Sequence, residues 1–217
     1  MNVSKLTFNQ RHVFVNELIN SITHGIGAVM SVVGLVILVV MASMKEDAWH
    51  VVSYSIYGAS MVMLYTASTL YHSFSKEKIK KILQKIDHSA IYFLIAGTYT
   101  PFTLITLKGT TGWVLFGAVW AMALGGVIFK LFYYTKKMRV ISALIYVAMG
   151  WCVVFAFKPL IDTLPFWGFF WLMAGGFFYT GGVVFYIWTK LPFNHGIWHL
   201  FVLGGSICHF ITILLYV

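Results

Sequence analysis

Charge is scarce in this sequence. Only 10% of the 217 residues are charged and six residues are acids, whereas 60% of the chain is hydrophobic. A soluble globule of this length needs many more polar side chains to cover its surface. The shortage excludes a soluble enzyme or binding module and predicts an integral membrane protein. Aromatic residues reach 18%, in line with belts of Trp and Tyr at membrane interfaces.

Cysteine is equally scarce, and several soluble-enzyme motifs are missing. Cys152 and Cys208 both lie in apolar stretches, which predicts buried thiols rather than a disulfide framework. There is no glycine-rich phosphate loop and no serine nucleophile elbow. The first twenty residues are mostly polar and the first apolar stretch is long enough to span a membrane, so no cleavable signal peptide is expected.

The net charge of +9 does not indicate a nucleic-acid partner. The basic residues fall in short loops between apolar stretches, where they orient the chain and meet anionic lipid headgroups. No nucleic-acid binding is therefore expected, and the lipid bilayer is the expected surrounding.

Seven apolar stretches are each long enough, at roughly 20 residues, to cross about 30 Å of hydrocarbon. They must be helices, because lipid offers no partner to an open backbone. The sequence thus predicts an all-α fold, an integral membrane bundle of seven transmembrane helices in a single domain, residues 1–217, with a cytoplasmic interfacial segment at residues 1–21. The predicted helices lie near residues 22–43, 50–73, 87–107, 112–133, 139–157, 166–188 and 195–216.

The loop charges predict the orientation of this bundle. Twelve of the 15 basic residues fall on the side of the N-terminus, and five of these lie between the second and third stretches. The positive-inside rule then gives a cytoplasmic N-terminus and a C-terminus outside.

Ionisable residues cluster at the ends of three stretches. His195 and His199 open the seventh stretch, and their spacing puts both imidazoles on one helix face, about 5 to 6 Å apart at Cβ. Ser68 and His72 have the same spacing at the end of the second stretch, and Asp87 opens the third. The topology places the three histidines and Asp87 at one depth, with Ser68 about one turn deeper.

These residues predict a divalent metal site. An ionisable side chain in hydrocarbon costs about 2.5 to 3.5 kcal/mol on insertion scales, so it requires a partner. Three imidazoles (His72, His195 and His199) with one water form a catalytic type of zinc site, although iron and manganese stay possible. Asp87 would bind the metal directly or act on its water as a general base, and Ser68 would orient that water or a substrate carbonyl. The alternative is a polar hydrogen-bond network that ties three helices together.

Three other histidines carry less weight. His24, at the same depth, is interpreted as a residue that supports the site or bonds a neighbouring helix. His88 points about 100° away from Asp87 around the helix and should not face the same metal. His209 lies about 15 Å deeper than His199 and is expected to be a satisfied core residue.

The combined pattern resembles the haemolysin III and progestin and adipoQ receptor superfamily. Ser68-x-x-x-His72, Asp87 and His195-x-x-x-His199 carry the resemblance. The stretches NSITHGIG (20–27) and DHSAIYFLIAGTYTP (87–101) are similar to the bacterial haemolysin III branch, and the likeness covers residues 15–216. It implies seven helices with the N-terminus inside, and zinc held by the three histidines with a water bridged toward the aspartate and the serine.

The resemblance also implies functions. Relatives of adiponectin receptors are linked to ceramidase-type hydrolysis of lipid amides, and the bacterial branch to pore formation and to membrane-lipid homeostasis. The leading hypothesis is a zinc-dependent intramembrane hydrolase of a lipid amide or ester, a multi-pass protein of a bacterial plasma (inner) membrane. One alternative is a non-enzymatic lipid sensor with structural zinc. The other is a pore-forming cytolysin, which seven apolar spans without an export signal argue against.

Overall fold

The protein is a bundle of long helices. A computed structural model describes residues 7–217, which form helices and turns without a strand. The helices are α1 (Phe8–Ser43), α2 (Ala48–Ser73), α3 (Glu77–Pro101), α4 (Gly109–Ile128), α5 (Arg139–Gly150), α6 (Phe157–Thr163), α7 (Phe166–Ile187) and α8 (Asn194–Tyr216). Two π-helical segments, Phe102–Leu107 and Phe129–Tyr133, follow α3 and α4, and a 3-10 segment, Trp151–Ala156, joins α5 to α6. The predicted all-helical membrane bundle is confirmed.

Helix α1 begins at Phe8 rather than near residue 22. The hydroxyl of Thr7 accepts a hydrogen bond from the Gln10 backbone N–H (3.4 Å), and the Gln10 side chain accepts one from the Thr7 N–H (3.0 Å). This capping box satisfies two N–H groups that a helix start otherwise leaves open. The predicted interfacial segment is therefore, from residue 8, part of one continuous helix, and its residues 1–6, with Lys5, lie outside the described residues.

Helix α3 also begins earlier than predicted, at Glu77 rather than near residue 87. Glu77 is an acid in the first turn, where the helix dipole favours it, and its carboxylate pairs with Lys81 one turn later (2.7 Å). The lysine-rich stretch is thus helical throughout. Asp87 does not open the helix but lies about three turns into it.

Within residues 7–217, six helical stretches are long and apolar enough to cross a membrane, and α2 is not among them. These six are residues 10–43, 77–107, 109–133, 139–163, 166–187 and 194–216. Helix α2 has 26 residues, but its many Ser, Tyr and Thr residues lower its hydropathy. The predicted count of seven spans and the orientation of the termini therefore stay predictions.

The polar side chains of α2 face the interior of the bundle. The hydroxyl of Tyr54 donates to the Ile213 carbonyl oxygen (2.8 Å), and that of Tyr65 donates to Ser206 Oγ (2.6 Å). Both tyrosines are fully buried. Because buried hydroxyls need partners, these bonds hold α2 against α8 along the length of both helices.

Glycine residues at helix contacts let neighbouring helices pack closely. A Cβ on Gly97 of α3 would collide with Ser60 of α2, and one on Gly182 of α7 would lie 2.7 Å from the Cβ of Phe201 on α8. Glycine at such positions lets membrane helices approach closely. The contacts hold α2 on α3 and α7 on α8, the helices that carry the predicted site residues or pack against them.

Candidate metal centre

Three histidines converge where the C-terminus of α2 meets the N-terminus of α8. His72 lies in the last turn of α2, and His195 and His199 lie in the first two turns of α8. One ring nitrogen from each lies within 4.8 Å of those from the other two. The ring centroid of His72 lies 5.1 Å from that of His195 and 5.1 Å from that of His199. The structure thus brings the three predicted metal ligands into one group.

Hydrogen bonds fix which nitrogen of His199 is available to a metal. Its Nδ1 lies 3.2 Å from the carbonyl oxygen of Asn20 and 3.2 Å from the hydroxyl of Thr23, both on α1. A carbonyl can only accept, so Nδ1 carries the proton and donates. The lone pair is then on Nε2, the nitrogen left for a metal.

His72 is oriented in the same way by an acid. Its Nδ1 lies 2.9 Å from a carboxylate oxygen of Glu17 on α1 and donates to it. Its Nε2 is buried and has no hydrogen-bond partner among residues 7–217. Metal-ligating histidines commonly donate their second N–H to a carboxylate or carbonyl. The orphaned nitrogen and the carboxylate behind it therefore fit a divalent metal such as zinc.

Glu17 itself is anchored at the edge of the site. The carboxylate oxygen that accepts from His72 also pairs with Lys80 Nζ on α3 at 2.8 Å. The Glu17 side chain is 32% exposed, whereas that of His72 is 3% exposed. A partly solvated acid thus orients a buried imidazole.

Asp87 and Ser68 lie near the histidines but are separate from the ligand group. The Asp87 carboxylate is not within 4.8 Å of all three ligand nitrogens, which favours action through a water over direct binding. Ser68 lies beside Asp87, and its buried hydroxyl has no hydrogen-bond partner of normal geometry in the described chain. Both residues line the same cavity as His195 and His199.

This cavity, which we call the main cavity because it contains the candidate site residues, runs from the histidines into the apolar interior. Its volume is about 140 Å³, and α3, α5, α7 and α8 supply most of its wall. The far part includes Leu94, Leu172 and His209, whereas Ser68 and Asp87 lie at the histidine end. A mainly apolar cavity with a few convergent polar groups is typical of a binding site.

The three further histidines considered from the sequence, His24, His88 and His209, have different surroundings. His24 stacks on His199, with ring centroids 3.5 Å apart, and stands outside the ligand group. His88 packs against Tyr71 and Tyr134, in agreement with its predicted divergence from Asp87. His209 bonds the Leu172 carbonyl through Nε2 (3.1 Å), but its Nδ1 has no partner among the described residues. The prediction of a satisfied core histidine therefore holds for one ring nitrogen only.

The sequence interpretation assigned a supporting role to His24 but missed Glu17 and Asn20, the two residues of α1 that bond the ligand histidines. Glu17, Asn20 and His24 lie three and seven residues apart, which places them on one helix face. Once α1 is known to begin at Phe8, these positions form a polar stripe along one face of the helix. That spacing was the available signal for the residues that orient the ligands.

Comparison with known proteins agrees with the motifs. The profile of the family described as Haemolysin-III related matches residues 12–210. The chain is 51% identical to Hemolysin-3 of Bacillus cereus over 201 residues, which covers 93% of this chain and 91% of that protein. It is also 51% identical to the Hemolysin-3 homolog of Bacillus subtilis (strain 168) over 200 residues, 92% of this chain and 93% of the homolog.

Similarity extends to a more distant relative. The Monocyte to macrophage differentiation factor of Homo sapiens is 30% identical over 200 residues, 89% of this chain and 81% of the human protein. That protein is a member of the progestin and adipoQ receptor family, in agreement with the wider superfamily that the motifs predict. The chain belongs to the haemolysin III family.

Proposed function

We propose that this protein is a zinc-dependent intramembrane hydrolase of a lipid amide or ester, with a role in membrane-lipid homeostasis. One observation carries the proposal. The ligand nitrogens of three imidazoles lie within 4.8 Å of one another, and two of these residues, His195 and His199, line an apolar cavity together with Asp87 and Ser68. A site that only tied helices together would need no such cavity beside it.

The residues divide the chemistry among them. His72, His195 and His199 would hold zinc, which when bound makes a water nucleophilic at neutral pH and polarises a carbonyl. Asp87, outside the ligand group, takes the proton of the attacking water and returns it to the leaving amine or alcohol as general base and acid. The Ser68 hydroxyl, beside Asp87, orients the water or the substrate carbonyl. The apolar wall holds an acyl chain and keeps bulk water out.

A structural metal is the second candidate function, in a lipid sensor without turnover. The observation that favours it is that the histidines come from α2 and α8, and α1 holds two of them through Glu17 and Asn20. A metal here would cross-link α2 and α8 directly, and α1 through its hydrogen bonds to the ligands. It would then contribute to folding stability, as structural zinc does in other proteins. Pore formation is less favoured, since no feature of the bundle suggests a soluble form.

We also propose seven spans, with the N-terminus in the cytoplasm of a bacterium and the protein in its inner membrane. Helix α2 is long enough to cross, and its polar residues face α8 rather than lipid. Loop charge supports the orientation, because twelve of 15 basic residues lie on the side of the N-terminus.

Reporter fusions in bacteria test this topology. A fluorescent protein fused after Val217 should stay dark and alkaline phosphatase at that position should be active, because the C-terminus is predicted to lie outside. The same reporters fused after Ser75, between α2 and α3, should behave in the opposite way. A fluorescent C-terminal fusion would contradict the odd number of spans.

Metal content is the first test of the site. We expect close to one zinc per chain in detergent-purified protein by plasma mass spectrometry, and almost none in His195→Ala/His199→Ala, because two of three ligands are removed. His209→Gln, on the same helix but outside the ligand group, should keep its zinc. A wild-type protein without metal, purified free of chelators, would contradict the proposal.

The proton-transfer role predicts a separation of turnover from metal binding. Asp87→Ala should lower hydrolysis of a fluorescent ceramide or phospholipid ester by about 10²- to 10⁴-fold, the usual worth of a general base, while most zinc stays bound. Asp162→Ala, which removes an exposed acid paired with Lys158, is the matched control and should keep its turnover. Equal turnover in wild type and Asp87→Ala would argue against the mechanism. The lipid-sensor function would be favoured if no lipid gave a product and if loss of zinc lowered the melting temperature.

The contact behind His72 predicts a role for Glu17 in metal affinity. Glu17→Gln should weaken zinc binding by about 10- to 100-fold, because it removes the carboxylate that orients the imidazole. Titration against a competing chelator measures this change. Glu77→Gln removes an exposed acid that is paired only with Lys81 and should leave the affinity unchanged; an equal effect in both variants would indicate a general charge effect.

A further inference from the structure

A second cavity lies beside the main one, at the junction of α3 with the π-helical segment that follows α4. Its volume is about 200 Å³. Its lining is basic and polar and contains no acid: Lys81, Gln84, Lys85, His88, Lys130 and Tyr134. We call it the basic cavity.

Lys130 is the residue that makes this cavity unusual. It is 2% exposed, although a buried ammonium group is costly without a counterion. No hydrogen bond or ion pair within 4 Å joins it to another residue in the described part of the chain. Its Nζ lies over the Tyr134 ring, 3.5 Å from the centroid. An aromatic face offsets only part of the cost of burying a cation.

The neighbours of Lys130 add positive charge instead of cancelling it. Lys85 donates to the Leu131 carbonyl oxygen (2.8 Å), which fixes its ammonium group near the π-helical segment. Lys81 also lines the cavity, and its partner Glu77 does not. The buried acid whose charge acts on Lys130 is Asp87, which lines the main cavity and not this one. The basic cavity therefore concentrates three cations, of which only Lys81 pairs with an acid within 4 Å in the described part of the chain.

We propose that the basic cavity binds a phosphate group. Three ammonium groups, the Gln84 amide and the His88 ring can donate to several oxygens of one anion, a number that suits phosphate better than a single carboxylate. The cavity also lies at the lysine-rich end of the bundle, where anionic lipid headgroups are attracted to basic segments. A phosphate there supplies the counterion that Lys130 lacks.

His88 lies between this site and the main cavity, because it lines both. A phospholipid can then place its phosphate in the basic cavity and an acyl chain beside Asp87. This last step rests on the proposed function, and it makes the substrate class a phosphate-bearing lipid. Binding of phosphate itself requires neither zinc nor hydrolysis.

Native mass spectrometry of the detergent-solubilised protein tests the site with an equimolar mixture of phosphatidic acid and the diacylglycerol of matched chains. The wild type should retain phosphatidic acid at least about tenfold more than diacylglycerol, the effect expected of charge-assisted hydrogen bonds. Lys130→Met, similar in shape but neutral, should abolish the preference, and Lys85→Gln should reduce it. Lys137→Met removes an exposed lysine close in sequence and should bind like the wild type.

A second arm distinguishes a lipid from a soluble phosphate. Inorganic phosphate at millimolar concentration should compete with phosphatidic acid in the wild type. If it instead raises the melting temperature of the wild type but not of Lys130→Met, and no lipid preference exists, the site is confirmed and its occupant is soluble. Absence of any phosphate effect, or equal loss in Lys130→Met and Lys137→Met, would overturn the proposal. Because the experiment measures binding, a negative result leaves the hydrolase proposal intact. Conversely, a protein without lipid turnover can still prefer phosphatidic acid over diacylglycerol.

Discussion

The candidate site depends on the hydrogen bonds that assign a proton to two of the three ligand imidazoles, His72 and His199. Glu17 holds the Nδ1 proton of His72, and the Asn20 carbonyl holds that of His199. Both bonds leave Nε2 with its lone pair inside the bundle, where an unpaired polar atom is costly. The rest of the site follows from this constraint. Helix α1 must begin early enough to bring Glu17 to the end of α2, and α8 must present two imidazoles at helical spacing to the same point.

The pairing of buried polar groups also explains why α2 lacks the hydropathy of a membrane span although it is long enough to be one. Its tyrosines donate to backbone and hydroxyl oxygens of α8, so its polarity is used within the protein rather than exposed to lipid. Hydropathy alone therefore misjudges a helix that is surrounded by others. The bundle places its polar residues on the interior of α2 and at one end of α1, α3 and α8, and the cavity opens between these groups.

Much of this arrangement could be predicted from the sequence, and the exceptions have physical causes. The spacing of His195 and His199 predicted that both side chains share one helix face. The antiparallel order of the helices predicted that His72, at the end of a helix, lies at the same depth in the membrane, and together these predicted the ligand group. The starts of α1 and α3 lie before the predicted ones, because a capping box and lysine-rich turns extend these helices beyond the apolar stretches from which the spans were predicted. That error concealed Glu17. The burial of Lys130 was not predicted, since it arises from the π-helical segment and from Tyr134, which no local pattern indicates.

Glu17 connects the buried imidazoles to the surface of the bundle. Its carboxylate is partly exposed and shared between His72 and Lys80, which is itself 26% exposed. Mobile ions screen such an exposed pair far more than they screen buried ones. As salt weakens the attraction between Lys80 and Glu17, the Glu17 carboxylate becomes a stronger hydrogen-bond acceptor for the His72 ring. The ionic strength of the surrounding solution, and the density of anionic lipids that compete for Lys80, would therefore tune the donor strength of a nitrogen that no water reaches.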